Sequence, residues 1–407
     1  MPLTLEKCVS IALEKSPSLA ISQSDLDAKE ASLSAATKEL YPSLNFQYGY
    51  TRLFRPLATP VIQEPENYYS YAVTASQPVY MGKSLVTGVA ISELTLDASK
   101  SNFFTSRNNL IYSVHQGYFN LLKAEKLKSV AEQSLVNLQS HKKDAAAFYQ
   151  AGLIPKNDLL HSEVELAQGE QNLLMAQNGA SYAMAVLNNL LKRPVDEPIE
   201  VKDLLTIEPV AISWESVQEK ALANRPEISA AELSLQKSEK NIALEKAAYL
   251  PSVTVSATYK KQGDDVFAGS YELGENTVTS AQAVASWDFW TWGKNRDKVS
   301  AAQQLKKQSS ESVRQTRDRI ILEARDAYLD LKQAGKNISV TEKAIVHAKE
   351  NYRINEARYQ AQLNTSTEVL DAQTLLSKAR SNYYSALYDY RIASAALNRA
   401  IGIIDSQ

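Results

Sequence analysis

Displaced by 209 positions, the sequence falls on itself. Leu3-Thr4-Leu5-Glu6 meets Ile212-Ser213-Trp214-Glu215, Ala12-Leu13 meets Ala221-Leu222, Pro17 meets Pro226, and Pro42-Ser43 meets Pro251-Ser252. A displacement of 210 or 211 brings Gly82-Lys83 onto Gly293-Lys294, Tyr118 onto Tyr328, Asp158 onto Glu368 and Leu187-Asn188 onto Leu397-Asn398. Solenoid repeats have periods of roughly 20–50 residues, so this is one large supersecondary unit present twice. Repeat one covers 1–193 and repeat two 212–407, with a linker at 194–211 that would lie as an equatorial belt.

Each copy reads as short helix, helix, strand pair, very long helix, turn, helix. Pro17 and Pro226 sit at helix starts, where a missing N–H costs nothing. Pro42 and Pro251 end the next helices. From Lys83 to Gln150 there is no Pro, and only Gly88 and Gly117; from Lys294 to Gln362 there is no Pro, and only Gly335. Helices of that extent would be about 100 Å long at ~1.5 Å per residue. The helices predicted over 155–193 and 18–40, roughly 58 and 35 Å long, would together flank one long helix if stacked end to end. The chain has 13 Gly and 13 Pro in 407 residues, about half the usual share, as long uninterrupted helices require.

Heptads support the helical reading. Leu331, Ile338, Ile345, Tyr352 and Tyr359 recur every seven residues. Leu376, Ala379, Tyr383, Ala386, Tyr390, Ala393 and Leu397 alternate steps of three and four, as do Leu166, Gly169, Leu173, Ala176, Ala180, Ala183 and Leu187. That spacing is a coiled-coil seam, and its small residues allow close helix approach.

Four windows, Leu40–Thr51, Asn67–Gly82, Tyr249–Tyr259 and Asn276–Trp287, contain no charged residue in a chain that is 22% charged. Leu44, Phe46, Tyr48 and Tyr50 alternate with Asn45, Gln47, Gly49 and Thr51; Tyr69, Tyr71, Val73 and Ala75 alternate with small polar residues, as do Val253, Val255, Ala257 and Tyr259. The fourth window is weaker, with Ala281, Ala283, Ala285 and Trp287. Apolar-out, polar-in alternation over about ten residues marks a lipid-spanning strand around a wet lumen. A half-buried soluble hairpin also alternates, but its exposed face usually carries charge. Strands are predicted near 42–53, 67–80, 251–261 and 276–290. The connectors 52–66 and 260–275, rich in Pro and Gly respectively, read as loops on the wet side of a barrel. Tyr41, Tyr80, Trp287, Trp290 and Trp292 cluster where strands meet helices, as an interfacial aromatic belt does.

Other classes are excluded residue by residue. With 44 Lys+Arg against 46 Asp+Glu there is no basic face for nucleic acid. The single Cys8, inside a predicted helix, rules out a disulfide scaffold, and His115, His141, His161 and His347 show no ligand spacing, so no metal site is expected. Met81-Gly82-Lys83-Ser84 has the end of a P-loop, but Gln77 replaces its first Gly. No GxSxG, HExxH, CxxC or GxGxxG occurs, and acid pairs such as Glu163/Glu165 and Asp264/Asp265 lie on polar faces or loops. No catalytic residue, cofactor or enzyme activity is expected. Mean hydropathy is −0.31 and no apolar run approaches a membrane-spanning helix. The start, Met1-Pro2-Leu3-Thr4-Leu5-Glu6, shows no signal peptide. A soluble coiled-coil scaffold or filament would explain the heptads but not the four uncharged windows, and a duplicated helical enzyme would need a constellation that is missing.

Two repeats of helix, hairpin, long helix and helix, with Pro42-Ser43 and Pro251-Ser252 at the strand starts, resemble the TolC-like outer-membrane efflux protein family. Glu368-Val369-Leu370-Asp371-Ala372-Gln373 is similar to its second-repeat tip motif, and Leu397-Asn398-Arg399-Ala400-Ile401-Gly402 to its closing signature. The resemblance spans the whole chain. It implies a mostly α fold with a transmembrane β part: a homotrimer whose twelve-stranded barrel, set in outer-membrane lipid of a Gram-negative bacterium, continues as a periplasmic α-helical tunnel. It implies a passive exit duct for efflux or type I secretion, served by a periplasmic adaptor protein and an inner-membrane transporter of the RND, ABC or MFS type. Where one branch of the family carries an Arg that pairs with an acid of the first repeat, this chain has Asn364.

Strand counting agrees with three chains. Four strands leave two open edges, which lipid does not tolerate; eight close on a filled interior, and twelve leave a passage. The hairpin tips, with Gly152 and Leu153 in the first repeat and Leu363 and Thr365 in the second, are expected to dock the adaptor. Asp158, Glu368 and Asp371 fall in the first turns after those tips and are candidate gate residues, which threefold symmetry would make into carboxylate rings. Thr365-x-x-Glu368 also reads as a capping box.

Overall fold

The computed structural model describes residues 2–54, 66–203, 212–269 and 276–403. Elements run α1 (Leu5–Lys15), α2 (Pro17–Lys38), β1 (Ser43–Arg52), β2 (Asn67–Met81), α3 (Ser84–Gln150), α4 (Lys156–Leu190), α5 (Trp214–Asn224), α6 (Pro226–Ala247), β3 (Ser252–Gly263), β4 (Thr277–Ser286), α7 (Lys294–Gln360) and α8 (Ser366–Ala400). The duplication is carried by the backbone. Matched helices have equal lengths: 11 residues for α1 and α5, 22 for α2 and α6, 67 for α3 and α7, and 35 for α4 and α8. Helix starts differ by 209 before the hairpins and by 210 after them.

Positive-φ positions keep the second displacement. Gly82 (60°) and Lys83 (70°) answer to Trp292 (53°) and Gly293 (86°), Gly152 (70°) to Gln362 (57°), and Lys192 (56°) to Gly402 (74°). The alignment of Gly82-Lys83 with Gly293-Lys294 is therefore one residue out of structural register. Trp292 stands where Gly82 does, because the strand-to-helix corner needs two consecutive left-handed residues and Gly is not obligatory at either. Gly82 is the tighter case: a Cβ there would lie 2.6 Å from the Ala247 carbonyl oxygen.

The chain divides into two compact units. One comprises 23–101 and 229–315. Its strands form a single antiparallel sheet in the order β1-β2-β3-β4, so among the described residues β1 and β4 are edges without a partner. β4 stops at Ser286, short of the 290 expected, because Ser286 pairs with Ser252. The residue before Ser252 is Pro251, which has no N–H to extend the ladder. Trp287 instead donates its Nε1–H to the Tyr249 carbonyl at 3.0 Å. In the same unit α2 is tied to α3 by Ser99 Oγ to Asp25 Oδ2 at 2.8 Å, and α6 to α7 by the Lys306–Glu239 pair at 3.0 Å.

The other unit comprises 1–22, 102–228 and 316–407. One core joins Cys8, Ile111, Val114, Tyr118, Leu121 and Leu187, all essentially without exposure. A second joins Val217, Ile320, Leu331, Tyr390, Ala393 and Leu397, and a third Ala348, Leu376 and Ala379. Of the heptad positions read from the sequence, these cores bury Leu187, Leu331, Leu376, Ala379, Tyr390, Ala393 and Leu397. Gly169 lets α3 come close: a Cβ there would lie 2.6 Å from a Leu138 methyl. The described part of the linker is held by Leu3, which bridges Val201 in parallel fashion. The buried Tyr118 hydroxyl bonds to the carbonyls of Leu3 (3.1 Å) and Lys202 (2.6 Å). Residues 204–211 of the belt lie outside the described residues.

Candidate functional site

The register gives the sheet one mostly apolar face and one mostly polar face. Rows run across all four strands as Phe46–Val73–Tyr259–Thr279 on one face and Asn45–Thr74–Thr258–Ser280 on the other. A one-residue slip in any pair would mix the two sets. The single irregularity, between Pro78 and Tyr80, falls at the helix end of the sheet. On the polar face Thr74 and Thr258 join hydroxyls at 3.1 Å. On the apolar face Leu44, Phe46, Tyr48, Tyr50, Val73, Val255 and Tyr259 are exposed. An exposed apolar face of this extent marks a surface for lipid or for another protein. Tyr50 and Tyr69 stack with centroids 4.9 Å apart near the loop end.

At the helix end the aromatic residues remain uncovered. Tyr41, Tyr80, Trp287, Trp290 and Trp292 are all exposed, Trp292 at 89%. Trp290 and Trp292 meet edge to face at 5.7 Å. Each ring has an apolar body and a polar N–H or O–H, which suits a boundary between lipid and water.

The two tips are built alike. Leu153 N–H donates to Phe148 O (2.9 Å) and Gly152 N–H to Tyr149 O (3.0 Å); Leu363 N–H donates to Arg358 O (2.8 Å) and Gln362 N–H to Tyr359 O (2.9 Å). This paired 6→1 and 5→2 closure forces one left-handed residue at each tip. It leaves Leu153 and Leu363 facing outward, Leu363 at 69% exposure, with Gly152 and Thr365 also exposed. Asn364 bonds to Asn355 of its own hairpin at 2.7 Å, so this position holds its own turn together.

The three carboxylates separate by role. Glu368 Oε2 accepts from the Thr365 N–H at 3.0 Å and from its hydroxyl at 3.2 Å, which is a capping arrangement. Asp158 is half-buried after Pro155, a helix start without a side-chain cap. Asp371 is exposed and has no hydrogen bond or ion pair among the described residues.

Beneath the tips lies a polar cluster that sequence reasoning missed. Buried His141 of α3 places Nε2 2.7 Å from the Ser366 hydroxyl at the start of α8. Its ring lies 4.8 Å from that of buried Tyr359, which in turn packs on Phe148 at 5.4 Å. Burial pushes the His141 imidazole below its ordinary value, with Asp144 acting to raise it and His161 to lower it. Gln360 Nε2 donates to Asp144 Oδ2 at 2.7 Å, and Asn137 Nδ2 to Gln373 Oε1 at 3.1 Å. Histidine spacing along the chain gives no sign of this contact, because His141 and Ser366 are 225 residues apart. Among the described residues no three His, Cys, Asp or Glu side chains converge on a metal position, and no helix is long and apolar enough to cross a membrane.

A family model described as outer membrane efflux protein matches residues 8–191 and 217–403, leaving out the whole linker. The outer membrane protein TolC of Vibrio cholerae is 22% identical over 413 residues, covering 97% of this chain and 90% of the relative. The pyoverdine export outer membrane protein OpmQ of Pseudomonas putida is 25% identical, covering 76% of this chain and 65% of the relative. The solved CmeC outer membrane channel of Campylobacter jejuni superposes with a TM-score of 0.87 at 16% identity, covering 98% of this chain and 85% of that one.

Proposed function

The chain belongs to the outer membrane efflux protein family, and from that premise we propose how its parts make a duct. It is an outer-membrane channel protein for efflux and not an enzyme. The finer reading is a homotrimer in which β4 of one protomer pairs with β1 of the next, closing twelve strands around the polar face. The observation that carries this is the pair of open edges on a sheet with one mostly apolar and one mostly polar face. In lipid, unpaired strand edges must find partners. Three copies place the apolar rows against lipid, the polar rows around water, and the tryptophans at the periplasmic interface.

From this barrel α3, α4, α7 and α8 continue into the periplasm as a coiled-coil tunnel. The six tips of a trimer, through Gly152, Leu153, Leu363 and Thr365, dock a periplasmic adaptor, which couples the duct to an energised inner-membrane transporter of the RND, ABC or MFS type. The gate at the narrow mouth is formed by rings of Asp371 and Asp158, with Glu368 spent on capping its own helix. Cross-linking in detergent tests the trimer: a ladder ending at three times the chain mass is expected, and one ending at twice the mass overturns it. Dispersal as a soluble species without detergent would overturn the membrane reading altogether.

A further inference from the structure

The four strands contain only three charged residues, Arg52, Lys260 and Lys261. All are cations, and all lie at the loop end of the sheet, the end away from α3 and α7. Lys260 and Lys261 are consecutive, so the pleat sends them to opposite faces. Lys261 falls in the row Tyr48–Tyr71–Lys261–Thr277, with the apolar set. Arg52 shares that face, lying over the Phe54 ring and 3.9 Å from Glu66. Lys260 falls in the row Gln47–Ala72–Lys260–Val278, with the polar set. It is therefore the single charged side chain that the described strands place on the polar face, and it has no hydrogen bond or ion pair among the described residues.

We propose that Lys260 is the residue that sets ionic selectivity at the outer mouth of the duct. This rests on the barrel reading above, in which the polar face surrounds the lumen. Threefold symmetry then makes Lys260 a cationic ring at the exit. Its field attracts anions and repels cations there, opposite in sign to the carboxylates Asp158 and Asp371 of the proposed gate. The ring filters cargo by charge at release: anionic cargo is drawn through, and cationic cargo meets a barrier. The reach of such a field is about 30 Å at 0.01 M salt, about 10 Å at 0.1 M and about 3 Å at 1 M, so the effect belongs to low ionic strength.

Reversal potentials in planar bilayers under a low-salt KCl gradient test this on the full-length protein, comparing the parent with K260E, K260Q and K261E. K260E is expected to raise the potassium-over-chloride permeability ratio about threefold, K260Q by about half as much on a logarithmic scale, and both shifts should vanish at 1 M KCl. K261E, one residue away but on the other face, should leave the ratio unchanged. Parent-like selectivity in both K260E and K260Q overturns the ring while leaving the duct intact. An equal shift in K260E and K261E also overturns it, because the charge would then act from the rim and not from the lumen. If even the parent protein forms no pores, the duct reading fails and the ring with it.

Discussion

Lys192 and Gly402, 210 positions apart, hold the same left-handed backbone conformation at the ends of α4 and α8. Each closes its helix in the same way: Arg193 N–H donates to Asn188 O at 2.9 Å, and Ile403 N–H to Asn398 O at 3.0 Å. Only the second copy uses glycine. Lys192→Gly should therefore stabilise the protein by about 1 kcal/mol, since a residue with a Cβ costs roughly that much in this region. Gly402→Ala should destabilise by ~2 kcal/mol or more, because its Cβ would also lie 2.7 Å from the Asn224 carbonyl oxygen. Denaturant unfolding followed by helical circular dichroism measures both, and opposite signs are required.

A buried charge network distinguishes repeat two. Arg225, 5% exposed, donates to Glu227 (2.9 and 2.8 Å), to Glu323 (3.1 Å) and to the Ala400 carbonyl (3.3 Å). Its counterpart in repeat one is Ser16, which meets only Ser18. Arg225→Met should cost about 3 kcal/mol by stranding the Glu227 carboxylate, while Glu323 keeps Arg399 at 2.6 Å. Burial acts to raise the Glu227 carboxyl, but the hydrogen bond and charge of Arg225 outweigh it and hold the group below its ordinary value. A depressed carboxyl stabilises above its unfolded pKa, so this contribution should be present above about pH 4.5 and be lost as pH falls further. In Arg225→Met that part of the pH dependence should disappear.

His141 is a base, yet its contribution is lost in the same direction of pH. Burial holds it neutral in the fold, whereas the unfolded chain takes up a proton near its ordinary pKa, about 6.5. Stability should thus be fully present above that pH and fall as the solution is acidified. His141→Gln, which can still bond Ser366, should flatten the stability curve below about pH 6.5. An unchanged slope in thermal unfolding would remove the cluster from consideration.

Conductance tests the gate. A ring of Asp371 carboxylates should make the pore cation-selective at its periplasmic mouth and let divalent or trivalent cations block it from that side. Asp371→Asn should weaken the block about tenfold or more, and Glu368→Gln by less, because the Glu368 carboxylate is already engaged by Thr365. Equal loss in both variants would contradict the division of roles.

Docking is tested in cells. Gly152→Glu or Leu363→Glu should abolish efflux while the abundance of the oligomer stays the same, because Leu363 is exposed and a Cβ at Gly152 would meet nothing within 4 Å. Survival of efflux in both variants would show that the tips are turn chemistry alone.

Much of this was legible from residue types because the duplication repeats whole patterns. Prolines at 17, 42, 226 and 251 punctuate the helices, and charge-free alternation marks the strands. The strand ends were less legible: Ser286 is the last residue of β4 because Pro251 bounds its neighbour, a fact visible only once the register is known. The left-handed Trp292, Gln362 and Lys192 escaped because the signal sought there was glycine. Long-range polar contacts such as His141 with Ser366, or Arg225 with Glu323, leave no local trace, since their partners lie 225 and 98 residues away.

The equality of the paired helices, 67 with 67 and 35 with 35, also constrains how such a chain can change over time. A seven-residue insertion in α3 alone would carry His141 about 10 Å away from Ser366 and bring Leu138 out of step with Gly169. The same addition to α4, α7 and α8 would restore both contacts. Spacing in this fold is therefore inherited like the teeth of a gear: one helix can be lengthened only if its three companions change with it.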